Sequence, residues 1–295
     1  MNLFTTNHTL YVVASGTIVL GALSGSLGCF IVLRKQSLLG DALSHSALPG
    51  IAVAFLLCGD APLSVLIGAG LAAWLATLSI STIVRQTRIP YDSALAGTLA
   101  VFFGLGLVLL AAIRKSNIHN ASQVGLERYL YGQAATLLVR DLRVIAMVGA
   151  AAICVLILFW KEFKLLIFNS DHARILGRPV AFFDFLLNGL MVVAVVIGLQ
   201  CVGAVLMSAL LVAPAVAARQ WTNRLGTMVV LAGVFGSCSG CAGTFLGDFL
   251  STPGKTVPTG PTIVLCAVAL VVVSMAMQAG RQRLHRRRAL EGQSL

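Results

Sequence analysis

Charge is what this sequence has least of. Of its 295 residues only 11% are Asp, Glu, Lys or Arg, and just 10 of them are acidic, against about 25% charged residues in an ordinary soluble domain. A water-soluble globule is thereby excluded. The signatures of stand-alone catalysis are missing too. No G-x-S-x-G and no H-E-x-x-H occurs, so neither nucleophile-elbow hydrolysis nor zincin chemistry has support. The sole Gly-Lys pair, Gly254-Lys255, has Phe249 where a phosphate-cradling loop requires its first glycine, so the chain carries no ATPase site of that kind. Paired C-x-x-C motifs are also lacking. Cys238-Ser239-Gly240-Cys241 stands alone, while Cys29, Cys58, Cys154, Cys201 and Cys266 are scattered through apolar sequence as small hydrophobes. The first nine residues hold no Lys or Arg, so a cleavable signal peptide lacks its positive start and the first apolar run is expected to be retained.

What remains is apolar. Hydrophobic residues make up 58% of the chain and its mean hydropathy is +0.93, which marks an all-α, polytopic membrane protein. A spanning helix needs roughly 20 apolar residues. Nine runs approach that length, near 10–33, 39–59, 62–84, 91–113, 142–160, 182–200, 202–218, 226–248 and 260–279. The tract 182–218 is almost unbroken and reads either as two tightly joined spans or as one span plus a broken helix, giving a range of eight to ten. The segments between runs are too short for a catalytic domain. The longest, 114–141, contains Gly125-Leu126-Glu127-Arg128-Tyr129-Leu130-Tyr131-Gly132, whose mixture of aromatic, apolar and charged residues suits a short interfacial helix.

Lys and Arg fix the orientation, because short basic loops stay in the cytoplasm. With the N-terminus outside and the C-terminus cytoplasmic, fifteen of the 21 basic residues fall on the inner side, at 34, 35, 85, 88, 161, 164, 174, 178, 219, 224, 281, 283 and 286–288. Six fall outside. The net charge of +11 thus reflects topology, and the basic tail at about 280–295 reads as an anchor to anionic membrane lipid, not as a nucleic-acid surface.

Ionisable residues at membrane depth are costly and tend to line pathways. Asp41 and His45, within Leu39-Gly40-Asp41-Ala42-Leu43-Ser44-His45-Ser46-Ala47-Leu48-Pro49-Gly50, are the outstanding pair. A spacing of four puts both on one helical face, about 6 Å apart along the axis, an oxygen and a nitrogen ligand for one cation. Pro49 has no N–H for the carbonyl of His45, and Gly50 follows it; broken helices of this kind expose carbonyls to ions in transporters. Residue types alone leave a second reading open, in which Asp41 is a hydrated interface cap and a hydroxyl of Ser44 or Ser46 satisfies His45. Pro214, in Leu210-Leu211-Val212-Ala213-Pro214-Ala215, likewise frees the carbonyl of Leu210, as a pathway break or as a kink that serves packing.

The internal segment at about 161–181 holds Phe168-Asn169-Ser170-Asp171-His172-Ala173-Arg174-Ile175-Leu176-Gly177-Arg178-Pro179. Ser170 can cap a helix, Asp171 suits its positive start, Gly177 can end it and Pro179 blocks continuation. The short helix so enclosed is either a knob for a soluble partner or a surface turn.

Taken in order and spacing, the Gly40–Gly50 segment, the 168–177 loop and the 210–215 segment resemble the permeases of bacterial ABC importers for zinc, manganese and iron. The likeness runs over nearly the whole chain, and the first segment is its specific part. It implies one permease domain over 1–295 with a compact, type II importer-like helical fold, like that of the vitamin B12 importer. It also implies a second permease, identical or related, two cytoplasmic ATP-binding subunits that consume the ATP, and an extracytoplasmic metal-binding protein. By the same resemblance the metal-coordinating aspartate and histidine fall on Asp41 and His45, and the helix that couples to the ATPase falls on Ser170, Asp171, Arg174 and Gly177. The family's common Asp-Pro-Glu-Tyr is replaced here by Asn169-Ser170-Asp171-His172, and its small apolar residue by Ser46. Two Asp–His pairs suit Mn, Fe or Zn better than Cu(I). The rival classes are a stand-alone metal channel or secondary carrier, and an intramembrane enzyme with Asp41 and His45 as acid and base.

Overall fold

The computed structural model describes residues 3–59, 61–115, 139–201, 203–251 and 257–291, and every regular element among them is a helix. They are α1 (Leu3–Leu33), α2 (Leu39–Ser46), α3 (Leu48–Cys58), α4 (Pro62–Gln86), α5 (Tyr91–Lys115), α6 (Val139–Leu158), α7 (Trp160–Phe168), α8 (Ser170–Ile175), α9 (Val180–Cys201), α10 (Ala204–Arg219), α11 (Leu225–Leu250) and α12 (Thr259–Glu291). Eight helical stretches are long and apolar enough to cross a membrane, with α2 and α3 together making one of them. A ninth apolar helix, α10, is shorter. The tract 182–218 is therefore a full span followed by a short helix, divided at Gly203, whose φ of +86° is open to glycine. The interfacial helix expected at 125–132 lies outside the described residues.

The centre of the fold is α1, which is wrapped by α11 on one side and by α10, α6 and α9 around the rest. Glycine makes the α1–α11 contact close. A Cβ on Gly21 would overlap the carbonyl of Gly236, and one on Gly25 would overlap that of Ala232. Hydroxyls seal the same seam: Thr17 Oγ1 donates to the carbonyl of Gly240 at 3.2 Å and lies 3.1 Å from Thr244 Oγ1. Small residues do this work in a membrane because lipid offers no hydrophobic drive, so dispersion at close range and hydrogen bonds must hold the helices.

Two turns orient the elements that follow. Past the end of α1, Lys35 adopts a left-handed φ of +58° while the Gln36 N–H reaches back to the carbonyl of Ile31 at 3.0 Å, the pattern of a Schellman cap. An ion pair then ties this turn to α9, with Arg34 Nη1 2.8 Å from Asp184 Oδ1. Sequence alone makes Asp184 a span-end residue at the interface; the structure gives it a partner 150 positions away. Cysteine also departs from the expectation of general burial. Cys29 is buried, whereas Cys58, Cys154 and Cys238 face outward, and Cys238 and Cys241 are both free thiols.

Candidate metal site and the internal loop

The eight residues of α2 carry Asp41 in the first turn and His45 in the last. Gly40 lets this short helix lie against α10, since a Cβ there would meet Leu211 Cδ1 at 3.0 Å and Ser208 Cα at 3.4 Å. With its back fixed, α2 leaves the Asp–His face partly open. His45 Nε2 stands 3.4 Å from Asp41 Oδ1, and the two side chains are 22% and 40% exposed. The imidazole is steadied on its other side by the ring of Phe103 on α5, edge to face at 5.0 Å.

The hydroxyl-satisfied alternative is not what forms. Ser44 Oγ donates to the carbonyl of Gly40 at 2.8 Å, and Ser46 Oγ is buried with no partner at all. Chemically, the Asp41–His45 geometry suits a shared cation: two N/O ligands about 2.1 Å from a metal and at the tetrahedral angle lie about 3.4 Å apart. Yet two ligands do not fill a transition-metal sphere. Among the described residues no group of three or more His, Cys, Asp or Glu side chains converges on one point.

Pro49 and Gly50 fall at the helix break. Helix α2 stops at Ser46 and α3 restarts at Leu48, with Pro49 in the first turn of the new helix, where a missing N–H costs least. The capping N–H of Ala47 turns back to the carbonyls of Leu43 and His45. Neighbours grip the break closely. A Cβ on Gly50 would overlap the Gly68 carbonyl of α4, and one on Gly106 of α5 would come within 3.1 Å of Pro49 Cδ. Pro214 lies buried inside α10. It stands three residues beyond the Leu211 that packs on Gly40.

The internal loop folds as a short helix after α7. Sequence points to Ser170 as the cap, but the structure gives that role to Asn169, whose side-chain oxygen accepts the His172 N–H at 2.9 Å. Ser170 is the first helical residue. Gly177 ends the turn with φ of +71°, and Arg178 anchors it to Glu162 of α7 at 3.2 Å. Asp171 and Arg174 face water and lie 3.9 Å apart, a contact worth at most about 1 kcal/mol. The tip is apolar: Phe168, Ile175 and Leu176 are 60%, 82% and 57% exposed. None of these three residues stands out by pattern; they are found only when the loop's fold leaves them bare.

With this geometry in view, the ABC 3 transport family model matches residues 7–278. The chain belongs to the ABC 3 transport family. It is 47% identical over 264 residues to the manganese transport system membrane protein MntC of Bacillus subtilis, covering 89% of this chain and 59% of that one. The chain thus spans well under two thirds of that longer relative. It is 44% identical over 284 residues to the zinc transport system membrane protein TroC of Treponema pallidum, covering 96% of this chain and 92% of the relative. Among solved structures it resembles PsaBC from Streptococcus pneumoniae, determined in complex with Fab, with a TM-score of 0.77 at 32% identity over 90% of this chain and 91% of that one. This membership makes the chain an ABC-type membrane permease, with the all-helical fold of those importers.

Proposed function

We propose that this chain is the permease subunit of an ATP-driven importer of a divalent transition metal, manganese or zinc foremost and iron within the same ligand chemistry, in the cytoplasmic membrane. The observation that carries the reading is the partly exposed Asp41–His45 pair at 3.4 Å, which we read as half of a coordination sphere. A second permease, identical or related, supplies the other half, so that two carboxylates and two imidazoles surround one cation. The relatives named for manganese and zinc transport support that cargo.

ATP is spent elsewhere. Separate ATP-binding subunits grip the bare apolar tip of α8 and its flanks, and an extracytoplasmic binding protein hands over the metal at the far side. The N-terminus lies outside and the C-terminus inside. Closure of the ATPases pushes α8; through Gly177 and Pro179 that push enters α9, and the pair on α2 is opened alternately to each face.

The test is uptake of Mn, Zn and Fe into proteoliposomes holding the chain with its co-purified ATPase. Metal accumulation that needs ATP hydrolysis is the expected result. Equal uptake by the chain alone, without nucleotide, would instead establish a channel or secondary carrier.

A further inference from the structure

At the basic end of the spans, between the α1–α2 turn, α4 and α9, lies a cavity of about 240 Å³ lined by Gln36, Ser81, Arg85, Tyr91, Asp184 and Asn188 among others. It is small beside the roughly 300–1,000 Å³ of a drug-sized pocket, and it gathers several polar side chains into a lining that is otherwise apolar. Some of its polar groups are unsatisfied, although Thr77 Oγ1 donates to the carbonyl of Ala73 at 2.9 Å. Gln36 Oε1 is buried without a hydrogen-bond partner, and among the described residues neither Ser81 nor Asn188 bonds to protein. The Asp184 carboxylate is already paired with Arg34 at 2.8 Å. Arg85 is then the uncompensated charge, so the cavity presents one cation and several open hydrogen-bonding groups.

The cavity does not end there. Trp74 and Phe185, perpendicular with centroids 4.3 Å apart, line it and also line an apolar groove of about 450 Å³ that runs on between α4 and α9 past Gly70 and Gly189. A Cβ on Gly189 would press on Trp74 at 2.9 Å, whereas one on Gly70 would meet nothing within 4 Å, so Gly70 borders open space in the groove. A pocket that holds one cationic and several polar side chains and shares Trp74 and Phe185 with an apolar groove has the shape and charge of one class of molecule.

We propose that cavity and groove together bind an anionic phospholipid whose headgroup carries hydroxyls, of the phosphatidylglycerol type. The phosphodiester pairs with Arg85, as cationic side chains do with anionic lipid at this surface. Headgroup hydroxyls donate to Gln36 Oε1 and bond the Asn188 amide, and an acyl chain lies along α4 from Trp74 toward Ile67. The zwitterionic phosphatidylcholine has no headgroup hydroxyl and no net charge, so it is disfavoured.

The experiment is native mass spectrometry of the full-length chain, delipidated in detergent and titrated with dioleoylphosphatidylglycerol or dioleoylphosphatidylcholine. One phosphatidylglycerol per chain is retained, preferred about tenfold, the scale of one charge-assisted contact. Arg85→Gln and Asn188→Leu each erode that preference, Arg85→Lys keeps most of it, and Gly70→Leu, which fills free space, weakens retention of both lipids. Equal retention of the two lipids, or a preference untouched by all of these substitutions, would overturn the proposal. So would disulfide crosslinking of Gly70→Cys between two chains in the membrane, because a second permease would then cover the groove.

Discussion

Where α1 crosses α11, backbone touches backbone, and Gly21 and Gly236 leave no room for a methyl group. Some turns away, α2 holds Asp41 and His45 with 40% and 22% of their side chains open, although polar exposure is the costliest thing a membrane protein can keep. The first contact is filled to the last atom; the second is left unfinished. The difference separates scaffold from site. Close glycine seams give α1 a fixed position, α10 takes its place against α1 through Gly28 and Leu211, and α2 leans on α10 through Gly40. The site can remain open because the elements behind it cannot move independently.

Substitutions can break this contrast from either side. The largest effect is expected at the scaffold: Gly236→Leu drives a side chain into the Gly21 carbonyl, where overpacking costs about 1–3 kcal/mol or more, and the yield of monodisperse protein and its thermal midpoint should collapse. Next come Asp41→Ala and His45→Ala, which should lower metal uptake by the assembled transporter at least about tenfold, the loss of a ligand's worth of binding. Their thermal midpoints should stay near that of the parent. A large loss of stability would place the pair in the scaffold instead.

Smaller effects sharpen the contrast. Removing the cap of α8 by Asn169→Ala should cost that helix about 1 kcal/mol and weaken co-purification of the ATPase, while leaving the thermal midpoint of the bundle in place. The smallest effect has the opposite sign. Ser46 Oγ is buried and unpartnered, and such a hydroxyl carries a desolvation cost of about 1–3 kcal/mol, so Ser46→Ala should leave uptake intact and raise the thermal midpoint slightly. A fall in uptake with Ser46→Ala would show that the hydroxyl serves the ion path.

Much of this was legible in residue order. Nine apolar runs, bounded by short interruptions, translate into helices because hydropathy and length alone decide what spans a bilayer. The Asp41–His45 spacing gave the facing pair, and Pro49 gave the break after it. What could not be read are contacts between distant segments. The small residues of α1 and α11 recur at helical spacing, but any such face can pack on any other, so Gly21 does not announce Gly236. Arg34 and Asp184 each look like a span-end charge until 150 residues of chain bring them together. Sequence points to Ser170 and the fold to Asn169 as the cap because Asn and Ser are nearly equal cap formers and only the bond to His172 decides between them. The bare tip at Ile175 and Leu176 has no signature in residue order because exposure is a property of the folded loop.

Helix α10 has 16 residues, and its rise of about 24 Å falls short of a hydrocarbon layer about 30 Å thick. Its consequence is electrical. A dication in a bilayer pays a self-energy that grows with the depth of low-dielectric material around it, and the short helix stands directly behind α2, with Leu211 on Gly40. By starting only at Ala204, after the turn at Gly203, α10 stands behind α2 with less than one hydrocarbon thickness of helix, and under the proposed function that shortness would reduce the depth over which a doubly charged ion needs shielding by protein.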